Sequence, residues 1–463
     1  MSVALNSAYC RRQLAESTTT KVLDELIAAH PQRLEFYRTR GIVRCFRDEY
    51  QLATRDFTHA LKEAKNARKA KHAHSRAADA EGLRVRGKKG RRTKTHGRAP
   101  ADGTAVAEGP EGDGPTLPVH PSVLPDAPSP LEPQLLFLRG AAYLQNAVFL
   151  IEEAILGLEG IRKAPPADGA ELRLCYLEGG RYGGIEIGNP AGPLGAREGA
   201  KAQAYRAALG AAAFREQVAA LLRKSVRDHE KFLGHFDTLD AQLPVFMGDA
   251  AQRTRYAFLL TESLRPGSHG QAPALHAPPA FTTYHPLLVE SHFSILLATL
   301  LMGEFAALLP AFARAATLVD GLEGYPVFLP ARSMAQAEFI EVLERLAGGW
   351  RAGVQPRSRG HSQAVLTGPS SSSSSAPPTE RGAAPHPLAE ALDCARILLA
   401  PVAQRQKERT EQAAAEKASG MDKKRPLSIN IPLHGPRVEI VLAWLGAVHL
   451  PELESVAGGL GRD

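Results

Sequence analysis

The chain has 463 residues, of which 44% are hydrophobic, and a formal net charge of +7. Its four cysteines (Cys10, Cys45, Cys175 and Cys394) are far apart and form no CxxC pair. This spacing argues against a disulfide framework or a zinc site and fits a reducing compartment. Because the first residues include no long apolar run, we expect no secretory signal.

Residues 1–70 are predicted to be helical. Large and small residues in the second half of this region recur at intervals of three or four, which is the spacing of one helical face. A polar turn around residues 47–49 separates this run from an earlier one that begins near Leu34. The pattern predicts two antiparallel helices that approach closely at small residues and pack large rings beside them. The residues that carry it are Gly41, Tyr50, Ala53, Phe57 and Ala60.

This arrangement resembles the tetratricopeptide repeat, a 34-residue helix-turn-helix unit. All five residues match the small or aromatic positions of that family. Arg40 and Arg44 depart from it, since the family usually has large apolar residues there. An ordinary helical hairpin with small residues at its contact is the alternative interpretation.

A basic tract follows. Lys62 to Arg98 contains seven lysines, seven arginines and three acids, so the rest of the chain is slightly acidic. Residues 71–130 continue into a segment rich in Pro and Gly, which we predict to be a disordered insert because it cannot bury enough apolar surface. The densest run of cations is typical of nuclear import or polyanion binding, and a solubilising loop is the alternative. Its cations are Arg86, Lys88, Lys89, Arg91, Arg92, Lys94 and Arg98.

Residues 131–264 are predicted to form a second helical region. Leu131 to Gly160 keeps helical spacing and is either a divergent repeat or one long helix. Ala202 to Phe236 has a long helical pattern. The glycine-rich loop 179–199 between them contains neither GxxxxGK[ST] nor GxGxxG, so it is not expected to bind phosphate.

After a loop at 265–281, residues 282–349 contain a partial match to the same repeat and a further helix. Phe293 to Leu309 is about 17 residues long and contains Glu304, which argues against a membrane span. The repeat spacing also explains its large and small residues, because they fall where the family places them. These residues are Gly303, Phe305, Leu308, Phe312 and Ala315.

A Ser/Pro-rich linker is predicted at 350–386. Residues 387–463 contain short helices and a C-terminal helix from Val438 to Leu450, started by Pro436 and anchored by Trp444. The fold class is therefore all-α. The resemblance implies helix-turn-helix repeats in a right-handed superhelical stack, interrupted by long disordered inserts. The whole arrangement is similar to uncharacterised tetratricopeptide-like proteins of fungi, to which no activity is attached.

No catalytic motif emerges. His229 and Glu230 begin an apparent HExxH, but Leu233 takes the place of the second histidine. His285 and His292 share a helical spacing but lack further ligands for zinc. No GxSxG elbow is present. We therefore expect no enzymatic activity, no cofactor and no metal site.

Stacked helical repeats line a concave groove with their first helices. The resemblance assigns five groove residues to the best-matching unit, and these mix one cation with several apolar groups. That mixture suits a partner helix or extended peptide. We expect a cytoplasmic or nuclear scaffold or adaptor, and the alternative is a nuclear factor that associates with nucleic acid or another polyanion through residues 62–98. The groove residues are Glu35, Arg38, Ile42, Cys45 and Phe46.

Overall fold

The computed structural model describes residues 19–88, 131–161, 180–182, 199–236, 287–321, 333–355, 387–418 and 436–459. Every regular element in these ranges is helical, and none of the described residues lies in a strand. The all-α prediction is confirmed. Residues 1–18, most of the glycine-rich loop and the 265–281 loop lie outside the described residues.

The N-terminal region contains three helices. Helix α1 spans Lys21–Ala29, α2 spans Leu34–Phe46 and α3 spans Tyr50–Lys88. Helix α3 continues 18 residues past the boundary that we predicted at residue 70. Alanine, lysine and arginine are favourable in helices and dominate this stretch, which also lacks proline, so local preference sustains the helix.

The middle region forms one long helix and two shorter ones. Helix α4 spans Leu131–Glu159, so the alternative of a single long helix holds for this stretch. The expected long helix at 202–236 is broken at Gly210 into α5, Ala200–Leu209, and α6, Ala212–Leu233. The two helices meet without a side-chain cap on the start of α6.

Four further helices follow. Helix α7 spans Leu287–Leu301, α8 spans Phe305–Gly321, α9 spans Met334–Gly349 and the short α10 spans Arg351–Val354. Ser333 caps α9, since its hydroxyl accepts a hydrogen bond from the Gln336 amide at 3.0 Å. Such caps satisfy one of the free amides at a helix start.

The C-terminal region differs from the predicted set of short helices. Helix α11 spans Pro387–Ala418 without a break at Pro401. Helix α12 spans Pro436–Trp444 and passes through one π-helical segment, Leu445–His449, into α13, Leu450–Gly459. The predicted start at Pro436 is confirmed, and Trp444 is 2% exposed, as expected of an anchor.

Consecutive helices pack in series. Helix α2 packs on α3, α3 on α4, α4 on α6, α6 on α7 and α7 on α8 and α9. Helix α2 also touches α4, and α4 touches α7. Helices α7, α9, α11 and the C-terminal helices share a large apolar cluster. From α1 to α9, most contacts therefore join helices that are near neighbours along the chain.

The residues chosen from spacing in the N-terminal pair form the α2–α3 contact. Ala53, Phe57 and Ala60 are fully buried. A Cβ atom at Gly41 would overlap the Phe57 ring, so only glycine lets the two helices come this close. Tyr50 is half-buried and its ring lies 5.6 Å from that of Phe149 in α4.

The turn between α7 and α8 repeats the turn between α2 and α3. Asp48 and Gly303 each have positive φ, at 59° and 75°. In both turns the next residue donates its amide to the carbonyl five residues earlier: Glu49 to Arg44 at 2.9 Å, and Glu304 to Thr299 at 3.2 Å. After the turn, α8 buries its large and small residues as α3 does, namely Phe305, Leu308, Phe312 and Ala315.

Candidate partner-binding face

Helix α2 carries the five predicted groove residues. Glu35 is exposed, while Arg38, Ile42, Cys45 and Phe46 are half-buried. Ile42 and Cys45 also pack against the apolar cluster beneath. The face therefore combines two charged side chains near its start with an apolar surface toward its end.

Helix α4 extends this face. The guanidinium of Arg38 donates a hydrogen bond to the side-chain oxygen of Gln134, which is exposed. Ala141 and Gln145 lie two and three turns further along the same side of α4, and both are half-buried. Arg38 makes no ion pair with a described carboxylate, so its charge is available to a partner.

Ion pairs join α2 to α1 and α3. Arg40 donates to both carboxylate oxygens of Asp56, at 2.9 and 2.6 Å, and to Asp24 at 2.7 Å. Arg44 donates to Asp56 at 2.7 Å. Asp56 is 4% exposed, and its hydrogen bonds raise the pKa of Arg40 above its ordinary value. The two arginines that depart from the repeat pattern are thus both paired with one carboxylate.

The same arrangement recurs between α4 and α6. Arg139 donates to both carboxylate oxygens of Asp228, at 2.6 and 2.9 Å. The next residue in each helix completes the match, because a Cβ at Gly140 would lie 2.9 Å from the His229 ring. Arginine, glycine, aspartate and ring therefore occupy the same relative places as Arg40, Gly41, Asp56 and Phe57.

His229 is a buried ring without full hydrogen bonding. Its Nδ1 lies 3.2 Å from the Ser291 hydroxyl, while its Nε2 is buried and has no partner. The Phe137 ring meets it edge-on at 5.6 Å. Burial lowers the pKa of His229 to about 4, so the ring is neutral at pH 7. Both His229 and Ser291 are fully buried, and the ring fills a packing position beside Gly140.

Sequence reasoning missed the α4–α6 half of the site. Arg40 and Asp56 are 16 residues apart, whereas Arg139 and Asp228 are 89 apart. Residues 162–198 and helix α5 separate the two halves, so no fixed spacing marks them. The available signal was the pair Arg-Gly in one helix and an Asp followed by an aromatic residue in another.

The predicted basic residues are described only in part. Arg86 and Lys88 lie within α3, and the structure describes only their backbone. Lys89, Arg91, Arg92, Lys94 and Arg98 lie outside the described residues. Nearer the body of the protein, Lys62 and Lys69 are exposed on α3, and Arg68 pairs with Glu132 of α4 at 3.0 Å.

Within the described ranges, no group of three or more His, Cys, Asp and Glu side chains could hold a metal ion. Helix α4 is long and apolar enough to cross a membrane by length and composition, and half of its most apolar window is buried in the protein. It packs between α3 and α6, as a core helix does.

Comparison of the chain with protein-family models, with curated proteins and with solved structures gives no match.

Proposed function

We propose that this protein is a non-enzymatic scaffold or adaptor, built from tetratricopeptide-like repeats, that binds a helix or peptide of another protein. The observation that carries the proposal is the outward face of α2 and α4, where Arg38 meets Gln134 between two neighbouring first helices. In a stack of such units, the first helices line a concave surface that holds other chains.

Three helix pairs support the repeat interpretation. The α2–α3 and α7–α8 pairs share a turn and a buried pattern, while α2–α3 and α4–α6 share an Arg–Asp pair beside a glycine and a ring. In this interpretation, α4 and α6 are one unit whose halves are separated by an insert. A right-handed superhelical path is part of the proposal.

The chemistry of the face favours an amphipathic partner. Ile42, Phe46 and Ala141 offer an apolar surface, and Arg38 offers a cation whose described partner is a neutral amide. A partner segment with apolar residues on one side and a carboxylate near Arg38 would satisfy both. Desolvated arginine and aromatic anchors commonly dominate the free energy of such interfaces.

Quantitative capture from a cell lysate tests this proposal. The full chain is compared with the double variant Arg38→Glu/Phe46→Ala and with a matched control, Arg55→Glu/Leu52→Ala, on the exposed side of α3. We expect one set of proteins to bind the wild type and the control and to be lost from the double variant. Equal capture by all three chains would remove α2 as the binding face.

The alternative function is association with nucleic acid or another polyanion. It is favoured by the continuation of α3 to Lys88, which places the first part of the basic tract on one helix. Phosphate contacts of this kind weaken steeply as salt rises. Loss of captured proteins after nuclease treatment, with a steep dependence of binding on salt, would favour this function over the scaffold. Nuclear import through the same tract belongs to this alternative.

A further inference from the structure

The segment Gly180–Tyr182, at the start of the glycine-rich loop, lies against the end of α4 and the start of α5. The Arg181 amide donates to the Glu159 carbonyl at 2.9 Å, and the Tyr182 amide donates to Glu159 Oε2 at 2.7 Å. From α5, the Lys201 ammonium donates to the Tyr182 carbonyl at 2.9 Å. The backbone of this short segment is therefore bonded to both helices.

The carboxylate of Glu159 is the centre of this contact. Glu159 is 2% exposed, and while its Oε2 accepts from the Tyr182 amide, its Oε1 accepts from the Tyr205 hydroxyl of α5. Burial and this hydrogen bond raise the pKa of Tyr205, so its hydroxyl keeps the proton that it donates. A Cβ at Gly180 would lie 2.6 Å from Glu159 Oε2, so only glycine lets the segment approach this closely.

The contact is small compared with the helices that it joins. Arg181 is exposed and Tyr182 is half-buried, with its ring 6.4 Å from that of Tyr205. Helix α4, in contrast, packs on α3 and α6 and has fully buried side chains along its length. Segments with few buried contacts open at a lower free energy than core helices do. The segment is therefore able to detach while α4 and α6 stay packed.

We propose that Gly180–Tyr182 is a releasable clasp, a conformational device that Glu159 holds closed and that opens without unfolding of the helices. Closed, it ties the chain between α4 and α5 down at one point and divides it into two shorter connections. Open, it gives solvent access to the Glu159 carboxylate. The clasp is separate from the α2–α4 face and does not depend on the proposed scaffold function.

Hydrogen exchange on the full chain, measured by mass spectrometry, tests whether the opening is local. We expect the Tyr182 amide to exchange more slowly than in an unfolded peptide but faster than the core amides of α4. A local opening exposes little surface, so low concentrations of urea should accelerate exchange of the α4 amides and leave that of Tyr182 nearly unchanged.

Trypsin tests the role of Glu159, because it cleaves after Arg181 and reaches this bond only in the open clasp. The double variant Glu159→Ala/Tyr205→Phe removes the carboxylate together with the hydroxyl that would otherwise be left unpaired. We expect cleavage after Arg181 to become about 10-fold faster, which is the expected loss of one charge-assisted hydrogen bond. The control Glu153→Ala, exposed on the same helix, should leave the rate unchanged.

A milder variant covers the case in which the double variant does not fold. Lys201→Met removes the donor to the Tyr182 carbonyl, keeps most of the apolar stem, and should accelerate cleavage after Arg181 several-fold. The proposal is overturned if the Tyr182 amide exchanges as slowly and with the same urea dependence as α4. It is also overturned if neither the double variant nor Lys201→Met is cleaved faster than the wild type.

Discussion

The ring of His229 occupies the place that the Phe57 ring occupies in the preceding helix pair, but unlike a phenyl ring it can bind a proton. Its folded pKa of about 4 lies below the ordinary value of 6.5. Between these two values the unfolded chain binds a proton that the folded chain does not. The free energy of unfolding therefore falls as the pH drops from about 6.5 to 4, by up to about 3 kcal/mol from this residue.

The variant His229→Phe should remove this pH dependence. At pH 7 we expect its free energy of unfolding to lie within about 1 kcal/mol of the wild type, because loss of the Ser291 contact offsets loss of a buried unbonded nitrogen. Urea denaturation at several pH values checks both statements. Parallel pH profiles for the two chains would show that His229 titrates normally and is not buried as described.

The buried pair Arg139–Asp228 gives a second prediction at this scale. Asp228→Asn leaves an unpaired buried cation and should lower the free energy of unfolding by about 3–5 kcal/mol. Replacing both partners, as Arg139→Met/Asp228→Leu, should lower the free energy of unfolding by less than Asp228→Asn does. Glu216→Gln, in an exposed ion pair with Arg223, is the control and should leave stability nearly unchanged. A double variant less stable than Asp228→Asn would contradict the account.

At the scale of the elements, Gly140 controls how closely α4 approaches α6. A methyl group there would lie 2.9 Å from the His229 ring, whereas one at Gly157 on the same helix would have nothing within 4 Å. We expect Gly140→Ala to destabilise the protein by about 1–3 kcal/mol. Gly157→Ala should stabilise it by up to about 1 kcal/mol, since glycine is unfavourable in a helix. Thermal denaturation of the two variants measures both effects. Equal shifts in melting temperature would mean that the helices do not meet at Gly140.

The helix pairs also show what sequence reasoning could reach. The α2–α3 pair could be predicted because Gly41 and Phe57 are close in sequence and their spacing is preserved. The α4–α6 pair could not, because the partner of Gly140 is 89 residues away and is a histidine rather than a phenylalanine or tyrosine. Arg40 and Arg44 depart from the repeat pattern, which has apolar residues at these positions. Both arginines pair with Asp56, a carboxylate in the next helix.

Two boundaries were misjudged for local reasons. The extension of α3 to Lys88 was missed because residues 71–88 were grouped with the Pro- and Gly-rich segment that follows them, although alanine, lysine and arginine sustain a helix. The break at Gly210 was missed because apolar spacing continues on both sides of it.

At the scale of the molecule, helices that are near neighbours along the chain pack on each other. Glu35 on α2 and Gln134 on α4 stay exposed among the described residues. The C-terminal helices pack on α4, α5, α9 and α11, so α2 offers the more open surface. A partner bound by this surface would contact α2 first. This is the central claim of the account.

Site-specific photocrosslinking tests it most directly. A benzophenone amino acid is placed at Thr39, exposed on the outward side of α2, or at Arg55, exposed on α3. Each full-length chain is irradiated in nuclease-treated lysate, and the crosslinked proteins are identified by mass spectrometry. We expect a defined protein to be crosslinked from Thr39 and not from Arg55, and to be lost when Arg38→Glu is added. Crosslinks that are the same from both positions, or none from Thr39, would contradict it.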